Sequence, residues 1–281
     1  MPKHLWNTFI TLGSVLFLLS ACRNVAMDEE PSMPAPTATP SPAPGLEPTS
    51  LTPAFPDCED RPGMIQQICT SSVTGLQYWA YKPSPALPVP QSGLPLLIYL
   101  HGFSQSGSNA DLLLYSGIPA EIEKGRTLPL MAVSPQCPAG ENWQSQQMVE
   151  KISRFVAELV EVYQLDPERV YLTGFSMGGD GVWAVGSTHP EQFAALVPVA
   201  SDWLARDPSE ICGLMNTPMW VFQSEGDEFV SPKDARNNVA AIQQCGSTNI
   251  RLTLFSSGGH DMSRRVVYAM DEMYQWLLEQ K

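Results

Sequence analysis

A serine, an aspartate and a histidine stand at Ser176, Asp227 and His260, each within two residues of a glycine and each just beyond an apolar run. In that chain order the three suit acyl transfer: a hydroxyl nucleophile, a carboxylate to orient a ring, and an imidazole base. The sharpest local signal is Val170-Tyr-Leu-Thr-Gly174-Phe175-Ser176-Met177-Gly178-Gly179. It reads as a strand running into Gly-x-Ser-x-Gly, with Val182, Trp183 and Val185 continuing as a helix. A serine on so sharp a turn is lifted above the sheet edge. Glycines at 174 and 178 remove side chains that would collide beneath it.

Serine needs a base, and the chain holds four histidines. His4 lies in the amino-terminal leader. His189 precedes Pro190 at the end of the helix after the serine, a position for capping or for solvent. His101 precedes Gly102 at a strand end, where it shapes a loop. His260, in Ser256-Ser-Gly-Gly-His260, follows the last strand on a glycine loop that can carry an imidazole over the serine. It is the expected base. For the acid, Asp227 follows Gly226 beyond the strand ending at Gln223, where ligand chemistry gathers in open α/β sheets. Asp202, also just past a strand, is its rival. Asp261 adjoins the base and is poorly placed, and Glu225 and Glu228 read as solvated.

A tetrahedral intermediate needs donors for its oxyanion. The backbone N–H of Met177, directly after the nucleophile, supplies one. The second should come from the loop opened by His101-Gly102-Phe103, with Phe103 N–H expected and Ser104 as the runner-up.

Three stretches carry a family likeness: Tyr99-Leu-His-Gly-Phe-Ser-Gln-Ser-Gly107, Ser134-Pro-Gln-Cys-Pro138 with Trp143, and Gly174-Phe-Ser-Met-Gly-Gly179. With Gly226-Asp227 and Gly259-His260, the chain resembles the α/β-hydrolase superfamily over about 94–281. Within it, the likeness is to secreted esterases and depolymerases related to the phospholipase/carboxylesterase group, to feruloyl esterases and to prolyl-oligopeptidase-like proteins. The resemblance implies the triad and oxyanion loop given above. It also implies that Trp143 lies near the substrate pocket, although a core position suits it equally. Asp180 departs from the family, where an uncharged residue or tyrosine is usual; that bears on substrate fit.

The elements that must position these residues follow from the apolar pattern. Runs at Leu94–Leu100, Leu128–Ser134, Val170–Phe175, Ala195–Ala200, Met219–Gln223 and Leu252–Phe255 lack alternation, as strands covered on both faces do. Between them, Met148, Ile152, Phe155, Val156, Leu159 and Tyr163 recur at helical spacing, closed by Asp166-Pro167. A helix over Pro232–Gln244 is opened by Ser231 as cap, and a last helix stripes Val266, Met270, Met273 and Leu277. Strand alternating with helix predicts an α/β fold with a mostly parallel, doubly wound sheet. A strand within Val73–Lys82 would add an antiparallel edge. Between Ala200 and Met219 too few residues remain for a large cap domain, which suits an open cleft.

The formal charge is -13 with a sequence pI near 4.6, and no basic cluster suggests nucleic acid as a partner. Residues 1–22 have a basic start, an apolar stretch and Leu19-Ser20-Ala21-Cys22. This is the pattern of a bacterial lipoprotein signal ending at a lipidated Cys22. Residues 23–56, rich in Pro, Ala, Thr and Ser, read as a disordered tether, and 57–281 as the catalytic domain. Export to the cell envelope, with a lipid anchor in the membrane, is therefore expected. Of six cysteines, five remain after Cys22; Cys58 with Cys69 and Cys212 with Cys245 are the expected disulfides, leaving Cys137 free. No metal or cofactor is expected, since no CxxC or His-rich pair occurs. The function expected is hydrolysis of small or polymeric carboxylic esters. Cleavage of short peptides by the same residues, or binding on a retired hydrolase fold, are the alternatives.

Overall fold

Alternation of side chains across a buried strand explains how the apolar runs fill two layers at once. The computed structural model describes residues 58–59, 61–203 and 208–281. The leader through Cys22 and the stretch 23–56 lie outside them. Within them the strands are β1 (Cys58–Glu59), β2 (Gln67–Thr70), β3 (Gln77–Tyr81), β4 (Leu96–Leu100), β5 (Met131–Pro135), β6 (Val170–Phe175), β7 (Ala195–Val199), β8 (Met219–Ser224) and β9 (Ile250–Phe255). They form one sheet in the order β1-β2-β3-β5-β4-β6-β7-β8-β9. From β5 to β9 every pairing is parallel, and β1, β2 and β3 add an antiparallel edge.

Along β4, Leu96, Ile98 and Leu100 enter one core while Leu97 and Tyr99 enter the other. In the same way β8 sends Met219 and Val221 to the first face and Trp220 and Phe222 to the second. The first face is covered by α2 (Gln146–Val162), α3 (Met177–Thr188) and α5 (Pro232–Gln244). The second is covered by α1 (Gly117–Glu123), α6 (His260–Val267) and α7 (Asp271–Leu278). Each Leu or Ile fully buried this way stabilises the fold by about 1.5–3 kcal/mol. The fold is thus the expected α/β arrangement with a mostly parallel, doubly covered sheet. Between β7 and β8 the described residues hold only the short α4 (Pro208–Cys212), and no large cap is present among them.

Local signals account for the helix starts. Ser145 accepts from Met148 N–H at 3.3 Å to open α2, and Ser231 accepts from Lys233 N–H at 3.3 Å to open α5. Two expectations are revised. The strand expected within Val73–Lys82 begins only at Gln77. Ser72 N–H and Val73 N–H are drawn to the Glu158 carboxylate and Thr74 N–H to Ser71 Oγ, which shapes the preceding residues as a turn. The single last helix is two, α6 and α7. At the break the Tyr268 carbonyl accepts from Tyr274 Oη at 2.9 Å and the Ala269 carbonyl from Arg126, so side chains replace the helical ladder.

Both expected disulfides form. Cys58–Cys69 joins residues opposite one another on β1 and β2, and Cys212–Cys245 joins the end of α4 to the residue after α5. Cys137 is free and buried.

Candidate active site

β6 ends at Phe175 and α3 begins at Met177, so Ser176 alone makes the turn between them. Its backbone sits at φ 55° and ψ -121°, a region that side chains other than glycine adopt only when their surroundings hold them there. What holds it is visible. Ser176 N–H donates to the Val199 carbonyl at 2.9 Å, and its own carbonyl accepts from Asp180 N–H at 3.0 Å. A methyl group at Gly178 would run into the Leu100 carbonyl, and one at Gly174 into the Gly178 carbonyl, so strand and helix approach at backbone contact. The Ser176 side chain makes no capping bond to α3 and is half-buried, which leaves the hydroxyl for chemistry.

The expected base and acid come from the loops after β9 and β8. His260 is the first residue of α6, and its Nδ1 lies 2.7 Å from Asp227 Oδ2. The Asp227 side chain is 0 % exposed and the His260 side chain 12 % exposed, so this bond is shielded from water. Asp227 Oδ1 accepts from Phe229 N–H at 3.0 Å and Val230 N–H at 2.9 Å, the local turn that aspartate favours. With Nδ1–H donating to a carboxylate, Nε2 carries the lone pair. The ring is wedged between Phe175, centroids 4.7 Å apart, and Phe229, 5.5 Å apart. The Phe175 contact brings the imidazole to the residue next to Ser176. Gly226 makes this possible: a Cβ there would lie 2.6 Å from the Gly258 carbonyl, so the two loops meet backbone to backbone.

Asp202, the rival acid, is exposed, and its backbone N–H donates to Asp180 Oδ1 at 3.2 Å. Glu228 and Glu225 are exposed, as expected, and each also has a partner. Glu228 Oε2 accepts the backbone N–H of His260 at 3.1 Å, and Glu225 pairs with Arg236. Glu228 thus caps the helix that begins with the imidazole.

Beyond β4 the chain enters a 3₁₀ turn at Phe103–Gln105, followed after Asn109 by another at Ala110–Tyr115. Phe103 opens its turn and Met177 opens α3, so neither N–H has a partner within its own helix. Ser104 is the next residue of the same turn. The loop is tied down by its neighbours. His101 Nε2 accepts from Cys137 N–H at 2.9 Å, while Gln136 Nε2 donates to the carbonyls of Gln105 and Asn109, each at 2.8 Å. Gly107 N–H returns to the Cys137 carbonyl at 2.9 Å.

Trp143 is one of these ties. It is 0 % exposed, donates to the His101 carbonyl at 3.0 Å and stands where a Cβ on Gly181 would collide with it. Of the two positions open to it, Trp143 takes the core one and braces the loop from behind. No signal in its own neighbourhood distinguishes the two, because both demand a large aromatic.

Asp180 is buried one turn into α3. Burial, with the nearby Asp202 charge adding to it, pushes its carboxyl up to about 7. Burial holds the His101 ring down to about 4 and raises the Cys137 thiol to about 12, so both stay neutral near pH 7. Among the described residues no cluster of His, Cys, Asp or Glu is arranged to hold a metal ion.

No family model matches the chain. It is 28% identical over 206 residues to "Putative esterase NocK" of Nocardia uniformis subsp. tsuyamanensis, an alignment covering 70% of this chain and 57% of that protein. It is 28% identical over 138 residues to the poly(3-hydroxyalkanoate) depolymerase C of Paucimonas lemoignei, covering 44% of this chain and 31% of the depolymerase. The chain thus spans about half the length of one curated relative and a third of the other. Among solved structures it is similar to a thermostable esterase, with TM-score 0.62 and 23% identity over 80% of this chain and 63% of that one. It is also similar to acetyl xylan esterase from Aspergillus awamori, with TM-score 0.58 and 14% identity over 75% of this chain and 99% of that one. The likeness establishes the fold as that of the α/β-hydrolases.

Proposed function

We propose that this α/β-hydrolase chain is a carboxylic ester hydrolase acting through an acyl-enzyme, with Ser176 as nucleophile, His260 as base and Asp227 as the orienting acid. The observation that carries the reading is the shielded 2.7 Å bond between His260 Nδ1 and Asp227 Oδ2, which fixes the tautomer a general base requires. Ser176 Oγ attacks the ester carbonyl carbon as its proton passes to His260 Nε2, and Asp227 stabilises the imidazolium so formed. The carbonyl oxygen, now negative, is met by the N–H groups of Phe103 and Met177. Collapse expels the alcohol, which takes the proton from Nε2. Water then repeats the sequence on the acyl-serine and releases the acid.

The substrate class is small or polymeric esters. The short segment between β7 and β8 supports an open cleft, and one relative is by name a depolymerase of a polyester. The two disulfides support an oxidising, extracytoplasmic setting, in keeping with a lipid anchor at Cys22 in the cell envelope.

The test is Ser176→Ala, with p-nitrophenyl acetate as substrate and a fluorophosphonate probe read by intact mass. The variant should lose turnover and labelling together. Unchanged turnover in it ends the assignment. A folded wild-type protein that resists the probe points to a binding protein, and peptide anilides cleaved faster than acyl esters point to a peptidase.

A further inference from the structure

Gln223 sits on β8 beside Val221 and Phe222 and is 0 % exposed, an unusual place for an amide. Its Nε2 donates to Asp227 Oδ2 at 2.9 Å, the same oxygen that holds His260 Nδ1. Two longer contacts, each 3.4 Å, reach the Ser224 and Val230 carbonyls. Its Oε1 has no partner among the described residues. A buried amide with one end unsatisfied costs stability that an apolar side chain would not. The donor end is therefore what this position uses. Turning the amide over would set its oxygen against the carboxylate, so its orientation is fixed by chemistry.

We infer that Gln223 is a positioning residue of the triad: from the strand side it fixes the one Asp227 oxygen that orients His260. The inference rests on the triad reading above. Asp227 Oδ1 is held by the backbone of its own turn, at Phe229 and Val230. Oδ2 has only side chains for partners, Gln223 and His260. Without Gln223 the carboxylate can swing with the ring, and on the triad reading the base is then misplaced for the Ser176 hydroxyl. Such misalignment costs rate more than it costs binding.

The test uses the full chain, p-nitrophenyl acetate and two variants, with Ser176→Ala beside them. Gln223→Met keeps the length and removes the donor; kcat should fall about 10- to 100-fold while KM stays within about two-fold. In Gln223→Glu, a protonated carboxyl can still donate to Asp227, whereas an ionised one repels it. Asp227, with His260 bonded to it, faces the new carboxyl; Glu225 and Glu228 lie on the same loop, Glu225 paired with Arg236 of α5, and Arg264 on α6 stacks over Phe175. The activity of Gln223→Glu relative to wild type should therefore rise about ten-fold from pH 8 to pH 5, roughly one pK unit of coupling between the carboxyls. Wild-type kcat in Gln223→Met overturns the inference. A ratio for Gln223→Glu that does not move with pH overturns it too, even if Gln223→Met fails to fold. Inactive Ser176→Ala beside a fully active Gln223→Met removes this inference alone; an active Ser176→Ala removes the triad reading with it.

Discussion

Cys137 donates its backbone N–H to His101 Nε2 at 2.9 Å, so the loop after β5 holds the ring that closes β4. The other ring nitrogen, Nδ1, lies 2.7 Å from the Gly102 carbonyl, which makes it the donor and Nε2 the acceptor. The imidazole is a neutral strut between the two loops, one residue before the peptide that leads to Phe103.

Replacing the strut should loosen Phe103, the proposed oxyanion donor, without touching Ser176. His101→Leu is expected to lower kcat about 10- to 100-fold, somewhat less than outright removal of an oxyanion donor, with Ser176 still labelled by the probe at a reduced rate. The pH dependence of stability follows as well. The unfolded ring binds a proton near its ordinary value of 6.5, the folded ring only near 4, so stability is full above 6.5 and falls as pH drops towards 4. Melting temperatures from pH 7 to pH 4 should fall less steeply in His101→Leu than in wild type.

Asp180 has the opposite sign. Its folded carboxyl keeps its proton up to about 7, against an ordinary value of 3.8, so its contribution is present below 3.8 and lost as pH rises through 7. Asp180→Asn keeps an acceptor for Asp202 N–H and has no charge to develop. The melting temperature of Asp180→Asn relative to wild type should climb between pH 4 and pH 7 and level off above. A difference independent of pH over that range counts against the buried carboxyl as its source.

Glu228 should matter through the helix it caps. Glu228→Ala leaves His260 N–H without its acceptor and should destabilise the protein by about 1 kcal/mol, in the usual range for a lost cap. A few-fold fall in kcat should accompany it, because the imidazole shares that helix end. Glu228→Gln retains an acceptor oxygen and should restore most of the activity. Chemical denaturation and steady-state rates read the two effects separately.

Gly178→Ala tests how tightly the nucleophile turn is built. The added methyl meets the Leu100 carbonyl, which is backbone and cannot rotate aside. A destabilisation of about 3 kcal/mol or more is expected, at or beyond the upper end of overpacking in a core, seen as a lowered melting midpoint or loss of soluble protein.

The parallel centre of the sheet was legible in the sequence because strands covered on both faces leave unbroken apolar runs. That is true of the five runs from β4 to β8; the run of β9 lies on the border of the sheet and is covered only in part. β2 escaped notice, since Gln67-Ile-Cys-Thr70 is short and half polar and becomes a strand only by pairing with β1 and β3. The break between α6 and α7 was hidden for a similar reason. Val266, Met270, Met273 and Leu277 keep helical spacing across it, and only the tertiary bonds from Tyr274 and Arg126 draw the carbonyls away.

At the site, residue type and position after a strand sufficed to bring His260 and Asp227 together. The residues around them were not legible. Gln223 reads as the ordinary end of a strand and Glu228 as a surface acid, and each gains a role only from what folding sets beside it. Trp143 shows the converse: a likeness to other chains suggested a pocket, and packing behind His101 made it a brace.

β9 closes one side of the sheet, and after Ile250 its residues are only partly covered. The imidazole hangs from the end of this border strand, whereas the serine springs from the middle of the sheet. Warming frays margins before centres. On the proposed reading the chemistry hangs on the part most easily dislodged, and heat should silence it while most of the architecture still stands.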